Sequence, residues 1–142
     1  ISLFLLISIL INTQAHSEQS AEDIIKNRKA LFSKNYNTAK KVQSLSSSGD
    51  FDAAKKLMLQ MSDNYKALLE MFPDNTKEGF KTEVTSLVWQ EKDKFNSLME
   101  KSSNDMIELA SVIEETDNVR GVLGQLMWGN CKACHSKYRV EH

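Results

Sequence analysis

Apolar residues recur every three or four positions through four segments of the chain, at about 21–45, 50–72, 83–115 and 117–140. This spacing places them on one face of a helix, whereas no segment shows the strict alternation of a strand. Four amphipathic helices with short connections pack most simply as an antiparallel four-helix bundle. The pattern therefore predicts an all-α fold with one domain.

Residues that start, stop or bend helices mark the ends of these segments. Ser20 is a candidate N-cap of the first helix, with Asp23 three residues later. The run 46–50, Ser-Ser-Ser-Gly-Asp, predicts a turn, and Pro73 predicts the end of the second helix. We expect a loop from Pro73 to about 79–82. The third helix is expected to break near 102–104, where two serines and an asparagine adjoin.

The N-terminal run Ile1 to Ile11 is apolar and carries no charge. It is shorter than the roughly 20 apolar residues of a transmembrane helix, and it matches the hydrophobic region of a secretory signal. Thr13-Gln14-Ala15 is a loose small-x-small cleavage pattern. We therefore expect a signal peptide over 1–15, incomplete at its N-terminus, and a mature domain over 16–142. A buried apolar helix and a membrane anchor are the alternatives.

The overall composition excludes several classes of protein. Eighteen basic and 19 acidic residues give a formal charge of −1, so no basic excess points to nucleic acid. One proline and five glycines in 142 residues exclude collagen-like and proline-rich chains. The sequence shows no Ser/His/Asp or paired-carboxylate arrangement for hydrolysis. We expect a binding or electron-transfer protein rather than an enzyme, with no membrane attachment once the signal is removed.

The only two cysteines lie in the run Cys131-Lys132-Ala133-Cys134-His135. C-x-x-C-H is the attachment motif of c-type haem. Each thiol adds across one vinyl group of the porphyrin, and two intervening residues let one turn of chain span both vinyls. The next residue, His135, then lies where its imidazole can coordinate the iron. The motif predicts one covalent haem c per chain.

The cysteine pair has three alternative interpretations. A C-x-x-C redox disulfide usually opens the first helix of a βαβ pattern, which this sequence lacks. A structural zinc site needs four ligands, and beyond Cys131, Cys134 and His135 the chain offers only the terminal His16 and His142. A structural disulfide across two residues would close almost no loop. If no haem is attached to the cysteines, the alternative is a haem-free redox or structural bundle.

The run Cys131 to Arg139, CKACHSKYR, closes a chain whose first helix begins with Ala21 to Arg28, AEDIIKNR. With these end motifs the chain resembles cytochrome c′ over nearly all of the mature part. The resemblance implies thioether bonds to Cys131 and Cys134 and His135 as the sole protein ligand of the iron. It implies that Arg139 lies beside the proximal face of the haem and that Arg28 contacts a propionate.

The resemblance also places Phe32, four residues after Arg28, on the distal side of the iron. Low-spin relatives carry a methionine on this helix as sixth ligand, whereas this sequence has none there. Its methionines are at positions 58, 61, 71, 99, 106 and 127. The resemblance therefore implies a five-coordinate, high-spin haem with an apolar, crowded distal face. In the family, nitric oxide can displace the histidine and end on the proximal side.

These expectations lead to one main functional hypothesis and one alternative. The main hypothesis is a periplasmic cytochrome that binds nitric oxide or carbon monoxide at an open iron position. The alternative is a one-electron carrier for a periplasmic redox partner in a respiratory or photosynthetic chain. The resemblance further implies a homodimer that pairs through its first two helices.

Overall fold

The computed structural model describes residues 19–141. The predicted signal segment 1–15, the first residues of the predicted 16–142 domain and His142 lie outside the described residues. The helices are α1 (Ala21–Ser48), α2 (Phe51–Leu68), the one-turn α3 (Leu87–Gln90), α4 (Lys92–Val112), α5 (Val119–Leu123) and α6 (Gly129–Tyr138). A π-helical turn, Gly124–Trp128, joins α5 to α6 in one continuous rod. This rod packs with α1, α2 and α4 as the predicted antiparallel four-helix bundle.

Short polar side chains and one glycine set the ends of the first two helices. The Ser20 hydroxyl accepts a hydrogen bond from Asp23 N at 3.2 Å, which confirms the predicted N-cap. The predicted turn at 46–50 begins later than expected, because the three serines stay helical and Gly49 ends α1 with φ +81°. A left-handed residue at this position is favoured as glycine. Asp50 then caps α2 by accepting from Ala53 N.

The second helix ends at Leu68, four residues before the position expected from Pro73. From Leu69 onward the backbone hydrogen bonds span three residues instead of four. Glu70 N donates to Ala67 O, and Met71 N donates to Leu68 O. Such i→i−3 bonds are a common way to close the last turn of a helix. A 3-10 turn at Asp74–Thr76 follows and begins the long connection to α3.

The predicted third helix, 83–115, was wrong in two respects. Residues 83–86 are not helical, and the helix breaks at Glu91 (φ −120°, ψ 43°) rather than near 102–104. The serines at that predicted break lie inside α4 with satisfied hydroxyls. Ser102 Oγ donates to Leu98 O at 2.8 Å, and Ser103 Oγ donates to Ser62 O of α2 at 3.1 Å. Ser102 thus makes the i−4 bond that a serine can form inside a helix, and Ser103 is held by a bond to another helix.

The C-terminal rod ends at Tyr138, two residues earlier than predicted. Arg139 is extended and forms an isolated antiparallel bridge with Val84. The amide of Thr85 bonds to Tyr138 O, and the amide of Val140 bonds to Glu83 O. Residues 83–86, which were predicted to be helical, therefore pair with the C-terminal tail.

The inward faces of the four rods form one apolar core. Its fully buried members include five methionines besides aliphatic and aromatic residues: Met58, Met61, Met99, Met106 and Met127. Across residues 19–141, no helix is both long enough and apolar enough to cross a membrane.

Candidate functional site

A cavity of about 650 Å³ opens between α1, α2, α4 and the C-terminal rod. Its volume lies within the usual range for small-molecule and cofactor sites. The wall is mainly apolar, with Phe32, Phe72, Val88, Phe95 and Met99 as its larger members. All six residues that the sequence predicted for the site line this one cavity: Arg28, Phe32, Cys131, Cys134, His135 and Arg139.

The attachment motif lies on α6, directly after the π-helical turn. Cys131 and Cys134 are free and half-buried, and His135 stays partly exposed. Burial raises the pKa of the Cys134 thiol to about 11, with the neighbouring Cys131 adding to the effect. Burial also raises the pKa of Cys131. Both thiols therefore line the cavity and are partly shielded from solvent.

A buried polar pair anchors the motif to α4. Asn130, immediately before Cys131, donates from Nδ2 to Asp105 Oδ2 at 2.8 Å and to Leu126 O at 2.9 Å. Both Asn130 and Asp105 are buried, and Asp105 also pairs with Lys101. Because each buried group is satisfied, the pair holds the start of α6 against α4.

Tyr65 of α2 approaches the motif from the opposite side of the bundle. Burial raises the pKa of its hydroxyl, and the nearby Cys131 thiol raises it further. The amide of Asn35, also buried, lies close to the same hydroxyl and accepts a hydrogen bond from Asn64 Nδ2 at 2.7 Å. Helices α1 and α2 thus contribute polar groups to a wall that the sequence predicted to be apolar.

Phe32 reaches the cavity from α1, as predicted for a distal residue. Its ring is half-buried and packs edge-on against Phe72, with the centroids 6.4 Å apart. Phe72 in turn packs against Phe95 at 4.7 Å. The aromatic stack fixes the orientation of Phe32, since edge-to-face pairs are favoured over free rotation of a single ring.

Arg28 is almost wholly buried, with 1% of its surface exposed. Its NH1 donates to Met71 O and Thr76 Oγ1, and its NH2 donates to Thr76 O and Thr82 Oγ1. Burial lowers the pKa of the guanidinium to about 10. Only Nε has no partner within residues 19–141. Arg28 therefore secures the 71–82 connection and keeps one buried donor, Nε, without a partner among the described residues.

Arg139 does not share a helical face with His135, because the backbone leaves the helix at this residue. It nevertheless lies near the imidazole. Burial lowers the pKa of His135, and the positive charge of Arg139 lowers it further. Glu83 acts on His135 in the opposite sense and pairs with Arg139, with Oε2 and Nε 3.4 Å apart. Glu83 was not predicted as a site residue, because the apolar pattern placed it at the start of a helix.

A model of the family described as Cytochrome C′ matches residues 23–139. The chain belongs to the cytochrome c′ family. The cytochrome c′ of Rhodopseudomonas palustris is 28% identical over 122 residues, covering 84% of this chain and 83% of that protein. That of Rhodospirillum rubrum is 31% identical over 90 residues, covering 58% and 61%. A solved structure of the R. palustris protein superposes with a TM-score of 0.76 at 26% identity, covering 87% of this chain and 98% of the other.

Membership of the cytochrome c′ family confirms two of the sequence predictions. The resemblance drawn from the end motifs is correct, and so is the four-helix fold. The family binds a covalent haem c, and the two cysteines of this chain are consistent with that attachment. The chain is therefore a haem-binding c-type cytochrome.

Proposed function

We propose that this cytochrome c′ holds its haem through Cys131 and Cys134, with His135 as the only protein ligand of the iron. The observation that carries the proposal is the meeting of all three side chains on the wall of one cavity. Two thiols and an imidazole on one short helix are the donor set of a c-type haem.

The rest of the cavity wall fits a haem. Its apolar part offers aromatic and aliphatic surface for a macrocycle, chiefly Phe72, Val88 and Phe95. Its polar part offers cations for two propionates. Arg28 is buried with Nε unpaired among the described residues, and Lys29 lines the same cavity. A buried donor without a partner is costly, and a propionate oxygen would remove that cost.

We further propose that Phe32 keeps the sixth position of the iron without a protein ligand. Its ring carries no lone pair, and its stack on Phe72 holds it toward the cavity. When bound, the haem supplies an iron that takes small diatomic gases such as nitric oxide and carbon monoxide. The apolar ring limits the room for larger or charged molecules. Gas binding, chiefly of nitric oxide, is thus the main function we infer.

The experiment is an absorption titration of the purified holo-protein. We expect a high-spin spectrum in both oxidation states and a change of the reduced spectrum on adding nitric oxide or carbon monoxide. A low-spin spectrum that is indifferent to either gas would contradict the proposal. The retention or loss of the His135–iron bond in the nitrosyl form then decides whether the gas ends on the proximal side.

Electron transfer is the second candidate, and one observation favours it. Met99 of α4, 1% exposed, lines the same cavity and carries a thioether sulfur that can ligate haem iron. If the resting spectrum is low-spin, Met99→Leu should convert it to high-spin and restore gas binding. That result would make the protein a carrier for a redox partner. An unchanged low-spin spectrum would exclude Met99 as the ligand.

The location and assembly of the protein are part of the same proposal. We infer a periplasmic protein, because haem attachment through two thioethers agrees with the predicted export signal over 1–15. We also infer a homodimer through α1 and α2. These helices expose Tyr36 (55%) and Leu59 (47%), two large apolar side chains that a partner could cover. Sedimentation of the holo-protein and of Leu59→Glu tests the dimer.

A further inference from the structure

The C-terminal tail and the segment before α3 are held together beside His135. Val140 N donates to Glu83 O at 2.8 Å, and Thr85 N donates to Tyr138 O at 2.9 Å. Thr85 Oγ1 adds a third bond, to Lys137 O at 3.1 Å. These backbone contacts fix Glu83 and Arg139 next to each other without help from their side chains.

The two side chains then bring opposite charges to the histidine. Glu83 Oε2 lies 3.4 Å from Arg139 Nε, and both residues line the cavity together with His135. Arg139 places a positive charge and Glu83 a negative charge on the cavity wall that carries the imidazole. Both side chains are about 40% exposed, so the ion pair contributes little to folding. The pair therefore acts on the imidazole mainly through its two charges.

We propose that Glu83 is a positioning residue of the proximal site, which holds Arg139 beside His135 and balances its charge. This proposal rests on His135 being the axial ligand, as proposed above. Groups around a ligating imidazole change how strongly it donates electrons to the metal. A nearby charge also changes the relative stability of the ferric and ferrous states. The pair thus sets the reduction potential and the strength of the bond that nitric oxide would have to break.

The test compares holo-protein variants Glu83→Gln, Arg139→Gln and the double variant. Glu83→Gln should raise the reduction potential, since it removes a negative charge that stabilises ferric iron. Arg139→Gln should lower it, and the double variant should return close to the wild-type value. In the reduced protein, the iron–histidine stretching frequency should fall in Glu83→Gln and rise in Arg139→Gln, because the imidazole donates less in the first and more in the second.

Glu141→Gln is the matched control, because it removes the same charge from an exposed residue of the C-terminal tail that does not line the cavity. Thermal unfolding midpoints should be nearly equal in all variants. The proposal is overturned if Glu83→Gln shifts the potential no more than Glu141→Gln does, or if the iron–histidine frequency does not move. In that case the proposed function would still be supported if the wild-type spectrum is high-spin and changes on adding gas.

Discussion

Phe32 is the residue whose identity most directly limits the chemistry of the cavity. It lies on α1 one turn after Arg28 and packs against Phe72 at the cavity wall. Phenylalanine cannot donate a lone pair to iron, whereas methionine can. A single substitution at this position therefore separates an open iron site from a closed one.

Phe32→Met should turn the holo-protein low-spin and weaken its response to carbon monoxide, because the thioether would occupy the sixth position. Absorption spectra of the oxidised and reduced variant measure the effect. Leu31→Met is the matched control, since Leu31 is a neighbour on α1 that does not line the cavity. A high-spin spectrum in Phe32→Met, equal to that of Leu31→Met, would mean that Phe32 does not face the iron.

At the scale of elements, Arg28 joins α1 to the connection between α2 and α3. Its four hydrogen bonds reach Met71, Thr76 and Thr82, and its guanidinium carbon lies 4.8 Å from the centroid of Phe72. The connection has only one short 3-10 turn before α3, so these bonds are a large part of what orders it.

Arg28→Leu should lower the free energy of unfolding by about 2–4 kcal/mol, because buried loop acceptors lose a charged donor. Urea unfolding followed by circular dichroism measures the change. Lys29→Leu is the control, with an expected change under about 0.5 kcal/mol, since Lys29 makes one exposed hydrogen bond to Lys81 O. Equal stabilities of the two variants would show that Arg28 does not hold the connection.

The turn between α1 and α2 depends on the left-handed backbone of Gly49. An alanine there meets no atom within 4 Å, so only the positive φ opposes it. Gly49→Ala should cost about 1 kcal/mol of stability. Gly124→Ala also meets open space but has a helical backbone (φ −61°), so it should be neutral or stabilising by up to about 1 kcal/mol. Thermal melts that rank the two variants in the opposite order would contradict this account of the turn.

At the scale of the whole molecule, the sequence predicted what depends on local chemistry. Apolar spacing predicted the bundle, Ser20 the start of α1, and the C-x-x-C-H motif the haem. The errors concern contacts between distant parts of the chain. Ser103 looked like a helix breaker because nothing local shows that its hydroxyl reaches Ser62 O of α2. Residues 83–86 looked helical because their pairing with the C-terminal tail spans more than 50 residues.

The same limit applies to the site. Arg28 was predicted as a propionate contact, but a local pattern cannot show that a loop 43 to 54 residues away takes four of its donors. Glu83, Tyr65 and the Asn130–Asp105 pair were not predicted as site residues, because their contacts depend on the packing of separate elements. Side chains that meet in space without a fixed spacing leave no signal in one sequence.

The proposed function depends on a covalent haem on Cys131 and Cys134 whose iron has His135 as its only protein ligand. The most direct measurement is the electron paramagnetic resonance spectrum of the oxidised holo-protein, taken on material whose haem survives acid–acetone extraction. We predict that the haem stays attached and that the ferric iron gives a high-spin signal. Haem lost to the solvent, or a purely low-spin signal, would contradict the account.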